Sequence, residues 1–589
     1  MKQRRLCFLC VLCASAMNAF SLDREAFTFT NYDLNVRVEP EQQRLGVRGK
    51  ITLRNDSATP QKIAVLQISS SLDWRSITAG GKPLQFISQP YTSDIDHTGA
   101  LSEAIVTLPD PLPPRGNVDL EIAYEGVIVL DATRLTRIAT PEAAANSTDW
   151  DQISPKFSAV RGAGYVTWYP IATESANLSE GTLLFDILAR WKAREISSTM
   201  RLQVAVSSDE EADKPELLVN ATTCPTAHEA QHQFVADCTY RSLGSVVPAF
   251  VIANYEVVDR VAITVHFLRG HDLSATNYAD AAEKLAPFIA EWFGTPRGKA
   301  QTADLADANA APFESGPLLL TSLTSTEPKL AGLSAAHQLT HAAFFSSRPW
   351  INEGLAHFAQ ALYLEHQSGR QAALDYIGLH RSAFSAIGKD KDKDKDREKD
   401  KDKDKRTSAP SSEDETSQSL VNTNAEELYR SKAMCVWWML RDMIGDPALK
   451  KALAAYHPEQ DKEPSYMPHL IQAQTQNNLE WFFDDWVYRD RGLPDFKVAS
   501  TFTRKTLPEG YMLTITVANS GRAGAEVPLT VKFAGGEVTK RLVVRGKSDG
   551  VIRVEVPKLP EEIVINDGSV PESDVKNNVF KIEADAAAN

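Results

Sequence analysis

Two histidines stand four residues apart in Ser334-Ala-Ala-His337-Gln338-Leu-Thr-His341. On a helix that spacing stacks both imidazoles on one face, a turn apart. Two imidazoles so placed can ligate one zinc ion. A carboxylate from the next helix would complete a set of three protein ligands and leave a fourth position for water. Glu353, in Pro349-Trp-Ile-Asn-Glu353-Gly354, is placed for that role. Pro349 suits the first turn of a second helix, whose Ile351, Leu355, Phe358 and Leu362 form an apolar stripe. His357 falls one turn after Glu353 and shares its face. It reads as a half-exposed helical histidine or as a neighbour of the metal. A bare histidine pair is a weak signal in a chain with twelve histidines, and the Trp-x-Asn-Glu-Gly segment behind it strengthens the signal.

These residues sit in the middle of a chain of 589 residues, 43% hydrophobic and 24% charged, with a net charge of −14. Aliphatic and aromatic residues at that level exclude a wholly disordered or collagen-like chain. The acidic balance argues against a nucleic-acid partner. Alternating apolar and polar residues predict strands such as Tyr32 to Val38, Gly49 to Leu53, Asn117 to Tyr124, Thr182 to Leu188 and Thr199 to Val206. A strand from Ala262 to Leu268 then gives way to helical periodicity from about Asn277 to Trp292. Alternation returns in Met512 to Val517, Val527 to Phe533 and Val551 to Val556. The expected organisation is multidomain α+β. An N-terminal antiparallel β domain spans 24–259, a mainly helical domain 260–495, and a C-terminal β-sandwich 496–586. A Lys/Asp-rich insertion at 388–422 cannot bury enough apolar surface to offset its ordering entropy and reads as a disordered loop.

With the Asn-Glu-Gly helix following the histidine helix, the sequence resembles the gluzincin metallopeptidases. Glu427-Leu-Tyr429-Arg-Ser-Lys432-Ala433 and the helix after it resemble the Tyr-Glu-Lys-Gly-Ala segment of the membrane alanyl aminopeptidase family. Leu479-Glu-Trp-Phe-Phe-Asp-Asp-Trp486, with Gly492-Leu-Pro494 behind it, resembles that family's closing segment. The resemblance implies a thermolysin-like catalytic domain that binds Zn2+ through His337, His341 and Glu353. It implies peptides as substrates, and a hydrogen bond from Tyr429 to the developing oxyanion.

Three departures stand out. Gln338 occupies the position of the family's general base. A carboxamide can hydrogen-bond a water but cannot take its proton, and losing a general base costs ~10²–10⁴ in rate. Only eleven residues separate His341 from Glu353, a shorter connection than the family's. No Gly-x-Met-Glu-Asn motif precedes the histidine helix; its counterpart, Pro317 to Leu323, reads as an apolar edge strand lacking the carboxylate that binds a substrate's amino terminus. Two functions fit: a metallopeptidase-like protein acting on peptides with hydrolysis impaired at Gln338, or a zinc-binding pseudopeptidase that holds peptides or protein partners without cleaving them.

Lys2, Arg4 and Arg5 precede an apolar stretch from Leu6 and small residues at Ala14, Ala16 and Ala19. Residues 1–19 thus read as a signal peptide, predicting export to a periplasmic or extracellular location with no membrane span after cleavage. Cys224 and Cys238 fit either a disulfide or two buried thiols, and Cys435 lies in an apolar helix as a core residue.

Overall fold

The structure, a computed structural model, describes residues 22–180, 183–207, 215–229, 233–325, 327–380, 419–423, 425, 427–506 and 509–582. The expected signal peptide and most of the Lys/Asp-rich insertion lie outside these residues.

In the strand Phe27–Glu39, Tyr32, Leu34, Val36 and Val38 point inward while Asn35 and Arg37 face water. This two-residue period sets the face that packs. The strand is central in an eight-stranded sheet, antiparallel to Arg44–Asn55 and parallel to Thr199–Ser207. That parallel pair departs from the all-antiparallel expectation. It is allowed because a long excursion, and not a hairpin, joins the two strands. The run expected as a strand from Thr182 to Leu188 is helical where described, in Leu183–Arg194. Leu184, Ile187 and Trp191 are its buried residues, a helical spacing that shows only when the window extends beyond Leu188. Cys224 and Cys238 form a disulfide.

The central unit is built on a five-stranded mixed sheet. Its strands are β1 (Glu256–Asp259), β2 (Ile263–Phe267), β3 (Ala300–Asp304), β4 (Phe313–Ser315) and β5 (Leu318–Thr321), arranged in space as β1-β2-β3-β5-β4. The inner three are parallel and the two edges antiparallel. Helix α1 (Asp272–Phe293) starts a turn earlier than the sequence pattern suggests and bridges β2 to β3. Helices α2 (Pro328–Ala343) and α3 (Pro349–Ser368) follow, each with proline in its first turn. The predicted stripe Ile351, Leu355, Phe358 and Leu362 is buried. A π-helical turn, Glu427–Lys432, leads into α4 (Ala433–Ile444), where Cys435 is buried.

The segment 419–422, expected as the end of a disordered loop, is packed where it is described. Leu420 is buried in the core, and Val421 donates its N–H to the Val487 carbonyl. Two facing sheets close the chain, one of Phe496–Lys505, Tyr511–Asn519 and Ser548–Val556, the other around Ala525–Phe533. Their inward residues Leu513, Ile515, Val517, Val527, Leu529 and Val531 are fully buried, as in a sandwich. Among the described residues no helix is long and apolar enough to cross a membrane.

Candidate metal centre

His337 and His341 leave α2 on one face, with their Nε2 atoms 3.2 Å apart. Glu353 reaches them from α3, its Oε1 3.4 Å from His341 Nε2 and its Oε2 3.9 Å from His337 Nε2. The approach depends on Gly354: a Cβ there would lie 2.6 Å from the Ala433 Cβ and 3.0 Å from Trp437 Nε1, so only glycine lets α3 sit this close to α4. Asn352 accepts the Ser346 N–H through Oδ1 and sets its Nδ2 3.1 Å from His341 Nδ1, which orients that ring. The short connection between α2 and α3 is therefore part of the site.

Glu314 is the residue that sequence reasoning missed. Its Oε2 lies 3.3 Å from His337 Nε2, and the donor atoms of Glu314, His337 and His341 all fall within 4.8 Å of one another. The expectation of an edge strand without a carboxylate is thus corrected. The apolar run Leu318–Thr321 is an inner strand, as its burial on both faces requires, and the edge is the three-residue β4 with Glu314 at its centre. The N-terminal unit holds that short edge in place. Trp150 Nε1 donates to the Ala311 carbonyl (2.9 Å), Asn220 Nδ2 to the Ser315 carbonyl (3.1 Å) and the Val247 N–H to Ser315 Oγ (2.8 Å). Arg161, paired with buried Asp151 and stacked on Trp150 and Tyr165 at 3.8 Å, backs the Tyr165 ring that meets Phe313 edge-on.

Gln338 points into a different environment. Its Oε1 accepts hydrogen bonds from the hydroxyls of Tyr278 on α1 (3.0 Å) and Thr302 on β3 (2.9 Å), and its Nε2 donates to the Gln301 carbonyl (2.7 Å). The side chain is 2% exposed and pins α2 to α1 and β3. Burial pushes the Tyr278 phenol far above its ordinary value, so it remains a donor.

Tyr429 lies partly buried in the π-helical turn, with the Arg430 guanidinium 5.9 Å from its ring centre. Arg430 Nε stands 3.3 Å from Glu353 Oε2. His357 is partly buried, its ring 5.0 Å from that of His337 and 5.8 Å from that of His380. It neighbours the histidine pair, and its Nδ1 has no hydrogen-bond partner among the described residues.

The electrostatics follow from burial and crowding. Desolvation pushes Glu314 up to about 7, with Glu353 adding to the rise and His341 and Arg430 opposing it. Desolvation also pushes Glu353 upward, but His341, Arg430 and His357 together outweigh it and hold that carboxyl below its ordinary value. Burial, with His341 and Arg430 nearby, keeps His337 neutral by lowering its pKa well below the usual histidine range. A neutral imidazole offers the lone pair a metal requires. Two imidazoles and flanking carboxylates are a donor set suited to zinc.

No protein-family model matches the chain, and no curated protein matches it. Two solved structures similar to it are of an M1 zinc metallopeptidase from Deinococcus radiodurans. A mutant form is 17% identical, over 80% of this chain and 96% of that one, with a TM-score of 0.45. The second structure is 16% identical, over 76% of this chain and 90% of that one, with a TM-score of 0.43.

Proposed function

We propose that this chain is an exported, zinc-binding protein of metallopeptidase type that engages peptides at its central unit and in which hydrolysis is impaired. The observation that carries the proposal is the convergence of His337, His341 and Glu353 from two helices, with a nitrogen–nitrogen separation of 3.2 Å and nitrogen–oxygen separations of 3.4 and 3.9 Å. A tetrahedral site with bonds of ~2.0–2.1 Å has ligand–ligand edges of about 3.3–3.4 Å. Bound between these residues, zinc would supply a Lewis acid for a peptide carbonyl. Tyr429 would donate a hydrogen bond to the carbonyl oxygen from the π-helical turn. The Cys224–Cys238 disulfide supports an oxidising compartment and so the exported location.

A second reading, peptide binding without cleavage, is favoured by Gln338. Its amide is engaged by Tyr278, Thr302 and Gln301, and a carboxamide there cannot move the proton that hydrolysis requires. The test has two parts. Metal content after dialysis should be stoichiometric zinc, and its absence would overturn the proposal. The zinc-loaded protein, incubated with a mixed peptide library, should bind peptides and cleave them ~10²-fold or more below ordinary peptidase rates. Measurable binding with no cleavage selects the second reading, and cleavage at ordinary rates shows that impairment is wrong.

A further inference from the structure

Arg430 stands at the edge of the histidine and carboxylate cluster, in the same π-helical turn as Tyr429. We propose that it is a specificity residue, selecting peptides that carry a carboxylate next to the engaged peptide bond, at the chain terminus or on an acidic side chain. The inference rests on the peptide-binding reading above and names its substrate class.

Three observations carry it. The first is place: Arg430 Nε stands 3.3 Å from Glu353 Oε2, and the charge of Arg430 also acts on His337 and Glu314. The second is exposure. The Arg430 side chain is 40% exposed, against 22% for Glu353, 16% for His337 and 11% for His341. The guanidinium is therefore the solvent-facing wall of the cluster, where an incoming ligand meets it. Lys432 in the same turn gives the contrast, being 2% exposed and tied to Asp490 at 2.8 Å, a pairing that serves packing. The third is charge. Set against the carboxylates of Glu353 and Glu314, a zinc ion and the Arg430 guanidinium leave one positive charge over, with both imidazoles neutral. An anionic group on the ligand compensates that charge, and complementarity of this kind gives specificity.

A carboxylate matches the planar fork of a guanidinium, which can hold both of its oxygens. Its place along the peptide follows from Tyr429, whose ring centre lies 5.9 Å from the Arg430 guanidinium carbon. Successive peptide residues are ~3.8 Å apart. A carbonyl held by Tyr429 thus brings a carboxylate of the same or an adjoining residue to Arg430. Helical turns of the π type recur at functional sites, in keeping with this use of Glu427–Lys432.

The experiment titrates the zinc-loaded full chain with four tripeptides by calorimetry. Trialanine with a free carboxylate is compared with trialanine amide, and Ala-Glu-Ala amide with Ala-Gln-Ala amide. In at least one pair the carboxylate form should bind ~10-fold tighter, and the pair that shows it identifies terminus or side chain as the source. Arg430→Gln should bring that ratio to about one, whereas Arg430→Lys, which keeps the charge without the fork, should retain part of it. The ratio is read within each protein at saturating zinc, so a change in metal retention cancels. Equal binding within both pairs by the natural protein overturns the inference and needs no variant to fold. A ratio that survives in Arg430→Gln overturns it too, and either result leaves the peptide-binding reading standing. Failure of the natural protein to bind all four probes and the mixed peptide library overturns that reading instead.

Discussion

Helix α2 carries two polar clusters on adjacent residues, and they are opposite in kind. Around Gln338, two hydroxyl donors meet one carbonyl oxygen and one amide nitrogen meets one backbone carbonyl. Every polar atom of the side chain has a partner, and the cluster acts as a clamp between α2, α1 and β3. Around His337 and His341, two imidazole nitrogens and the carboxylates of Glu353 and Glu314 converge, and one buried oxygen is left without a partner among the described residues. That side has an excess of lone pairs, the condition a cation relieves. A saturated buried network specifies structure, whereas an unsaturated one marks a place for a ligand.

The contrast can be broken most decisively from the unsaturated side. His341→Ala should reduce zinc retained after dialysis from stoichiometric to trace, measured by elemental analysis; undiminished metal would show that the excess of lone pairs is not a metal site. Gln338→Glu attacks the saturated side. A carboxylate cannot donate to the Gln301 carbonyl, so the variant should lose on the order of 3 kcal/mol in urea unfolding and gain no peptidase activity. Natural stability together with new cleavage would show that this side chain turns to the histidines.

A third cluster calibrates the other two. Glu195 is buried, accepts the Phe29 N–H through Oε1 at 3.0 Å, and leaves Oε2 without a partner among the described residues. Desolvation raises its pKa from 4.5 to about 7. Between those values the folded chain keeps a proton that the unfolded chain has lost. The stabilisation is therefore complete below the unfolded pKa and declines as pH rises toward the folded one, by at most ~1.4 kcal/mol per pH unit. Glu195→Gln should flatten that part of the stability–pH curve; an unchanged slope would place the proton elsewhere. The smallest effect is expected for Tyr278→Phe, which removes one of two donors to Gln338 Oε1 and should cost about 1 kcal/mol. A negligible change would mean that the clamp has more slack than its hydrogen bonds suggest.

How much of this was legible in the sequence depends on how local the determining interaction is. The broad succession of strands, helices and strands was readable because side-chain periodicity reports which face of an element is buried. The same rule misassigned Leu183 to Leu188, where the window ended before Trp191 could reveal the helical period. It also mistook the inner strand Leu318–Thr321 for an edge, since an apolar run says that both faces are covered but not which neighbour pairs with it.

The sequence by itself determined that His337 and His341 share a helix face and that a proline-opened helix brings Glu353 after them. Spacing of three or four residues and a short connection leave few alternatives. Only the tertiary structure decided the rest. Glu314 sits in a strand too short to have a period, paired with β5 and held by residues from the N-terminal unit. Gln338 owes its orientation to Tyr278, 60 residues away, and to Gln301 and Thr302, 37 and 36 residues away. Periodicity encodes which side of a helix faces inward. Which polar group waits there is a property of chain packing, and that choice separates a clamp from a metal centre on the same helix.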